Sequence, residues 1–243
     1  MIKKFKDINN VEKECNLALL DEIDEYEIDL YRSVLWTFIK LEEKTEEKTE
    51  EKTEEEILTN IRKEFSDLLL SELSAYYAGS KVDDGWLELY FYAPNGKKFQ
   101  NITSEFFKNK FVFEAGTYKE SKFKFYKETL YPNEEESHQI TSNEIIEELQ
   151  KCGDDITKRR ETQHYCVFQI ESQRNRFMED MLDEEIECEA SEAEDDKYPF
   201  IATVFKEQAV DLETIMTSVK LFILLVEKEH GQYHGWSTTQ AHE

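Results

Sequence analysis

Few side chains in this sequence have the types and spacing that chemistry requires. His230 and His234 stand four positions apart, with His242 nearby. On a continuous helix that spacing would set two imidazoles on one face for zinc. Gly231 between them should end the helix first, and no H-E-x-x-H or C-x-x-C motif accompanies them. His164 and Cys166 lie two apart, so on a strand they share a face, as a base and a thiol nucleophile would. Cys166 alternates with Phe168 and Ile170, however, which aims it into a core where a thiol packs rather than reacts. No G-x-S-x-G elbow, G-x-x-x-x-G-K-[ST] loop or G-x-G-x-x-G turn is present. Asp154, Asp155, Arg160 and His164 form a polar constellation at the entrance to the second half. Such a group either binds a small ligand or fixes a loop to a strand by an ion pair, and the ion pair is the favoured reading. The expectation is no catalytic residue, no cofactor and no metal.

Charge is more informative than any motif. The 243 residues carry 30 Lys+Arg against 55 Asp+Glu, a net of −25. Such a field repels phosphate backbones, so direct nucleic-acid binding is not expected and a basic protein partner is. The charge is also segregated. Glu179 to Asp196 holds eleven Asp+Glu and no Lys or Arg in eighteen residues, whereas Lys97 to Lys127 holds eight Lys and three Glu. The first stretch could steer a basic surface toward it or simply stay solvated. Within it Glu192, Glu194, Asp195 and Asp196 are candidate partner contacts, together with Trp236 as a hot-spot or sheet-packing anchor. The four cysteines form no disulfide-like pattern, the start has no apolar signal region, and no apolar run exceeds six residues. A cytoplasmic, non-membrane protein is expected.

The elements that must position these residues read as follows. After a polar N-terminal stretch, Ser33 to Leu41 is a strand. Glu-Glu-Lys-Thr then occurs three times from Glu42 to Thr53, and the charged insertion runs to Glu56. Its period stacks like charges at i,i+4 and offers no apolar face, so it should be solvated. Ile57, Ile61, Phe65, Leu68, Leu69 and Leu73 mark a helix, and two strands follow, joined by Asp83-Asp84-Gly85. The second of these sets Leu87, Leu89 and Phe91 on one face and Trp86, Glu88, Tyr90 and Tyr92 on a presumed open face. Stacking of RNA bases on such aromatics is disfavoured by the net charge, so packing against the other domain or a second subunit is expected there. A helix near Asn101 to Lys108 and a strand near Phe111 to Thr117 complete a βαββαβ set.

Thr141-Ser-Asn-Glu144 fits a capping box that would open a helix ending at Gly153. A second βαββαβ set comprises a strand over Thr162 to Ile170, a helix capped by Ser172, strands near Ile186 to Ala190 and Phe200 to Phe205, a helix capped by Asp211 and stopped by Gly231, and a strand over Tyr233 to Thr239. The fold class expected is α+β, two tandem ferredoxin-like sandwich domains over residues 1–135 and 136–243, with the repeat inserted at 42–56.

The order of Leu130-Tyr-Pro132, Cys152-Gly-Asp-Asp155, Arg159-Arg-Glu-Thr-Gln-His164-Tyr-Cys-Val-Phe168 and Gly231-Gln-Tyr-His-Gly-Trp236 resembles proteins that join two known domains. These are domain-of-unknown-function family 695 and the regulator of ribonuclease activity B family. Tyr76-Tyr-Ala-Gly79 leading into Leu87-Glu-Leu-Tyr-Phe-Tyr92 is similar to the first; residues from about 140 onward are similar to the second. The family's usual Tyr-Asp-Gly-Trp is Tyr233-His-Gly-Trp236 here, and the tetrad repeat is not a family feature. The resemblance implies a second domain that acts by protein contact, since the namesake binds and inhibits ribonuclease E. It carries over no catalytic residue.

The sequence reading is thus a non-enzymatic regulator that acts through acidic contacts on a basic protein, a ribonuclease or other RNA-processing enzyme, with a homodimer compatible. Two alternatives stay open. One is a small-ligand binder or enzyme using an interdomain cleft near Arg160 and His164; the other is an immunity-like inhibitor occupying a nuclease's groove.

Overall fold

The computed structural model describes residues 1–7, 9–41, 54–194 and 197–241, and the chain divides into two units, Met1–Asn133 and Glu134–Glu243. The Glu-Glu-Lys-Thr repeat from Glu42 to Thr53 lies outside the described residues. Both units are mixed α+β, with one antiparallel sheet of six strands and one of four. Among the described residues no helix is long and apolar enough to cross a membrane.

The first unit runs β1 (Ile2–Lys6), β2 (Glu12–Asn16), α1 (Leu19–Glu22), β3 (Ser33–Lys40), α2 (Glu54–Leu73), β4 (Tyr76–Asp83), β5 (Trp86–Ala93), α3 (Phe99–Phe107) and β6 (Phe113–Lys119). Its sheet order is β1-β2-β4-β5-β3-β6. The turn between β4 and β5 follows from two residues. Asp84 and Gly85 take φ of 45° and 74°, the type I′ geometry that matches strand twist. The β1–β2 hairpin, by contrast, hides in a stretch that reads as merely polar. Its buried polar residues explain why. Glu14 accepts a hydrogen bond from the Tyr77 hydroxyl at 3.1 Å, and Asn16 Nδ2 donates to the Tyr77 carbonyl at 3.2 Å. Paired in this way, side chains that look solvent-seeking can be buried in a sheet.

Helices α2 and α3 cover one face of this sheet, where Leu58, Ile61, Phe65, Leu69, Phe99 and Phe107 pack on Leu35, Ile39, Leu87, Leu89 and Phe91. The opposite face is not open around Tyr90 and Tyr92, which corrects the sequence expectation: both tyrosines are buried. The chain after β6 folds back over them. Phe125 lies 4.7 Å from the Tyr90 ring and Phe123 lies 4.6 Å from the Tyr92 ring, centroid to centroid. The Tyr126 N–H donates to the Tyr92 hydroxyl at 3.1 Å, and the Tyr126 hydroxyl donates to the Asn16 carbonyl at 2.8 Å. The unit covers these two tyrosines with its own Phe-Lys-Phe-Tyr segment.

The second unit runs α4 (Glu134–Lys151), β7 (Arg160–Phe168), α5 (Glu171–Asp183), β8 (Cys188–Glu192), β9 (Phe200–Gln208), α6 (Leu212–Lys228) and β10 (Gln232–Thr238). The sheet order is β10-β7-β9-β8. Its core joins Cys166, Phe168, Ala202 and Val204 of the sheet to Phe177, Met181, Ile215, Val219, Phe222 and Val226 of the helices. Asp211 caps α6 as expected, accepting the Thr214 N–H at 3.0 Å.

Three local expectations are corrected. Helix α4 begins seven residues before Thr141, because Glu134, Glu135 and Glu136 supply a first turn that its dipole favours. Thr141 is therefore inside the helix, and its hydroxyl donates to the Ser137 carbonyl at 3.2 Å. Ser172 is also interior, since α5 starts at Glu171 with no side-chain cap. At the end of α6 it is His230 that takes the left-handed φ of 56°. Gly231 is there for space: a Cβ on it would stand 2.6 Å from the Phe168 ring and 2.7 Å from the Val167 carbonyl.

Candidate functional site

The polar constellation divides into two separate devices. The first begins where α4 ends. Gly153 takes φ +80°, and the Asp154 N–H closes back on the Leu149 carbonyl at 3.0 Å, which delivers Asp154 to the start of β7. There Arg160 grips it with both guanidinium nitrogens, Nη2 to Oδ1 at 2.6 Å and Nη1 to Oδ2 at 2.7 Å. The guanidinium also donates to the carbonyls of Asp155 at 2.8 Å and Thr239 at 3.1 Å. Asp154 accepts a further N–H from Ala241 at 2.9 Å. Both side chains are nearly sealed from solvent. A planar fork matched to a carboxylate in this way clips the end of α4, the start of β7 and the chain beyond β10 together. The Asp155 side chain turns aside. It accepts from the Thr157 hydroxyl at 2.7 Å, the bond that contributes most to holding its carboxyl below the usual range.

His164 belongs to the second device, fully buried on β7. Both hydrogens of the Gln208 amide have takers: Nε2 donates to Thr162 Oγ1 at 3.1 Å and lies 3.2 Å from His164 Nε2. Thr162 in turn donates to the Lys206 carbonyl at 2.9 Å. His164 Nε2 is therefore the acceptor, and Nδ1 carries the proton toward the Tyr233 hydroxyl, 2.8 Å away. The chain continues outward, with Lys206 donating to Ser218 Oγ at 2.8 Å and Ser218 donating to Gln208 Oε1 at 2.6 Å. Burial, reinforced by the Lys206 charge, lowers the imidazole to about 3. It stays neutral. Burial likewise pushes the Cys166 thiol up, so no thiolate forms beside it. With both ring nitrogens engaged, His164 is not placed to act as a base for Cys166.

The imidazoles with zinc-like spacing do not share a helix face, since α6 ends at Lys228 and His234 lies on β10. His230 closes the helix, while His234 sits in a bulge of β10 with its ring 6.3 Å from that of Tyr198. Among the described residues no cluster of three or more potential metal ligands forms, and His242 lies outside them. Trp236 is buried, with Nε1 donating to Ser142 of α4 at 3.0 Å. Its indole is packing that holds α4 to the sheet, not an exposed anchor.

The acidic stretch is where the unit meets solvent. It occupies the second half of α5, the turn after it, and β8, the edge strand of the sheet. Glu192 and Glu194 are exposed, and so are the other seven carboxylates from Glu179 onward; Asp195 and Asp196 lie outside the described residues. None of these nine forms an ion pair with a described residue. Arg174, which sequence reasoning passed over, is the adjacent cation, and it is already committed. Buried on α5, it donates to Glu171 at 3.1 Å, stands 5.6 Å over the Phe200 ring and reaches the Ser191 carbonyl at 3.4 Å. It ties β8 to α5 and leaves the carboxylates beyond it unneutralised. Its sequence signal is an Arg three residues before Phe177 and seven before Met181, on the apolar face of α5, where it is buried with them.

These features define a two-unit α+β protein whose second unit is locked by internal polar bonds and charged along one edge. Residues 10–131 match the model of a family of unknown function (DUF695), and residues 139–238 match that of regulator of ribonuclease activity B. The chain belongs to the first family, whose model spans half of it, and carries a domain of the second in tandem, the fusion that the sequence motifs resemble. No curated protein matches the chain. A crystal structure of an unknown protein from Galdieria sulphuraria is similar at 12% identity, covering 84% of this chain and 98% of its own, with a TM-score of 0.24.

Proposed function

We propose that this protein regulates a ribonuclease, or another RNA-processing enzyme with a basic surface, by protein contact through the acidic α5–β8 edge of its second unit. The observation that carries the reading is the run of nine exposed carboxylates that form no ion pair among the described residues, on a domain whose family is named for regulating ribonuclease activity. An enzyme that binds a polyanion presents basic surface, and a segregated acidic edge is complementary to it. Inhibition would follow from covering that surface. The domain division at 1–135 and 136–243, and a ferredoxin-like topology for both units, belong to the same reading. They are supported by the strand orders β4-β5-β3-β6 and β8-β9-β7-β10, each with both crossovers made by helices. A non-catalytic role is supported by the engagement of Arg160, Asp154 and His164 with other groups of the protein.

An RNA-cleavage assay tests it. The host's ribonuclease, with purified full-length protein added, should cleave a single-stranded substrate more slowly, and raised salt should relieve the inhibition. Cleavage unchanged at any ratio, in low salt, would sink the proposal.

A further inference from the structure

We infer that β6 is a self-association edge, which joins two copies of this chain through antiparallel β6–β6 pairing into one continuous sheet. The inference concerns the first unit and stands apart from the proposed ribonuclease contact.

Among the described residues the sheets end in four edge strands, and three of them carry devices that discourage pairing. Strand β1 has Lys at three of its five positions, β8 has two Glu among five residues, and β10 is interrupted by a bulge between Tyr233 and Gly235. Strand β6 has neither a bulge nor a net charge, since its Glu114 and Lys119 are of opposite sign. Its seven residues, Phe-Glu-Ala-Gly-Thr-Tyr-Lys, pair with β3 in an unbroken register, without proline.

The free side of β6 can be worked out. The Lys40 N–H donates to the Val112 carbonyl and the Glu120 N–H to the Arg32 carbonyl, both at 2.9 Å. In an antiparallel ladder this phase directs the backbone groups of Glu114, Gly116 and Tyr118 toward β3. Phe113, Ala115, Thr117 and Lys119 must then direct theirs outward. These four are symmetric about Gly116. A two-fold axis through Gly116 pairs Phe113 with Lys119 and Ala115 with Thr117 of the second copy, and it satisfies every outward group. The neighbouring register, centred on Ala115, leaves Lys119 unused.

Gly116 adds a second argument. Glycine weakens an edge strand and is there for a reason. The Trp36 indole lies across it, so that a Cβ would stand 2.7 Å from the indole Cε2. Trp36 is only partly buried, and its ring is 4.7 Å from Phe38, also partly exposed. In the paired sheet the two glycines face each other, about 4.5 Å apart between Cα atoms. The two indoles then meet above them and extend one aromatic surface across the axis. A second copy covers what this unit leaves uncovered.

Sedimentation velocity of the full chain across the micromolar range, with backbone hydrogen exchange, tests the inference. A dimer is expected, and it should tighten with added salt, because copies carrying −25 repel and screening relieves that. Exchange should be slow at Ala115 and Thr117 in the dimer and fast in the diluted monomer, while Gly116 and Tyr118 stay protected in both. Thr117→Pro removes an outward N–H and should give a monomer; if that variant fails to fold, the exchange pattern of the natural protein decides alone. A chain monomeric throughout overturns the inference. So does a dimer in which Ala115 and Thr117 still exchange fast, since another surface would then join the copies.

Discussion

The two units expose themselves to solvent in opposite ways. In the first, the face away from the helices is aromatic, and Phe123, Phe125 and Tyr126 are folded over part of it. Charges beside that face are paired, as Lys81 with Glu88 at 3.1 Å. In the second, polar groups inside the unit are bonded to one another, while the carboxylates from Glu179 to Glu194 form no ion pair among the described residues. The difference separates two kinds of surface. Packed aromatics act at contact distance; unpaired exposed carboxylates act across a Debye length, about 8 Å at physiological ionic strength. Under the proposed function, the first unit packs at contact distance and the second attracts at range.

The largest expected effect breaks the internal half of this contrast. Arg160→Ala strands the Asp154 carboxylate in a sealed site and should cost about 3–5 kcal/mol, read from the urea midpoint of the second unit. Replacing both partners together, with Asp154→Leu and Arg160→Met, should recover much of that loss. A single variant as stable as the natural protein would mean that the clip holds nothing. Phe123→Ala comes next, as a test of the aromatic cover. Phe123 is 5% exposed, and its loss should cost about 3 kcal/mol in the first unit while leaving the second unchanged.

The His164 network predicts a pH dependence with a definite sign. Its folded value of about 3 lies below the ordinary 6.5, so between these limits the unfolded chain binds a proton that the folded one refuses. Stability from this site is complete above pH 6.5 and drains as pH falls toward 3, by about 4 kcal/mol at the acid end. His164→Gln should flatten that slope, as measured by denaturant titrations across the window. An unchanged slope would assign acid sensitivity elsewhere. The smallest effect is expected at the charged edge itself. Glu189→Gln with Glu192→Gln and Glu194→Gln should change the unfolding free energy by less than about 1 kcal/mol, because these groups are exposed and unpaired. A larger loss would show that the edge is part of the fold.

Much of this was legible in the sequence wherever one local rule governed. The Asp84-Gly85 turn, the Asp211 cap and the apolar face of α6 each follow from adjacent residues, and the structure holds them. Whatever depended on partners distant in sequence was not legible. The β1–β2 hairpin is stabilised by Tyr77, some sixty residues away, so its Glu and Asn look like loop residues. The cover over Tyr90 and Tyr92 comes from a segment that alternates Lys with Phe and carries no sheet signal. Of the candidate site residues, Arg160 and Asp154, six positions apart, meet in one ion pair. His164 looked like their neighbour, yet it faces the core, where Gln208 and Tyr233, from two other strands, fix its tautomer.

The central claim is that the acidic edge draws in a basic ribonuclease, and association kinetics test it most directly. Stopped-flow binding of the enzyme to the natural protein and to the Glu189, Glu192 and Glu194 triple glutamine variant would be followed over a salt series. The account predicts several-fold slower association for the variant, a shallower salt dependence and nearly unchanged dissociation. Equal association rates for the two proteins at low salt would contradict it.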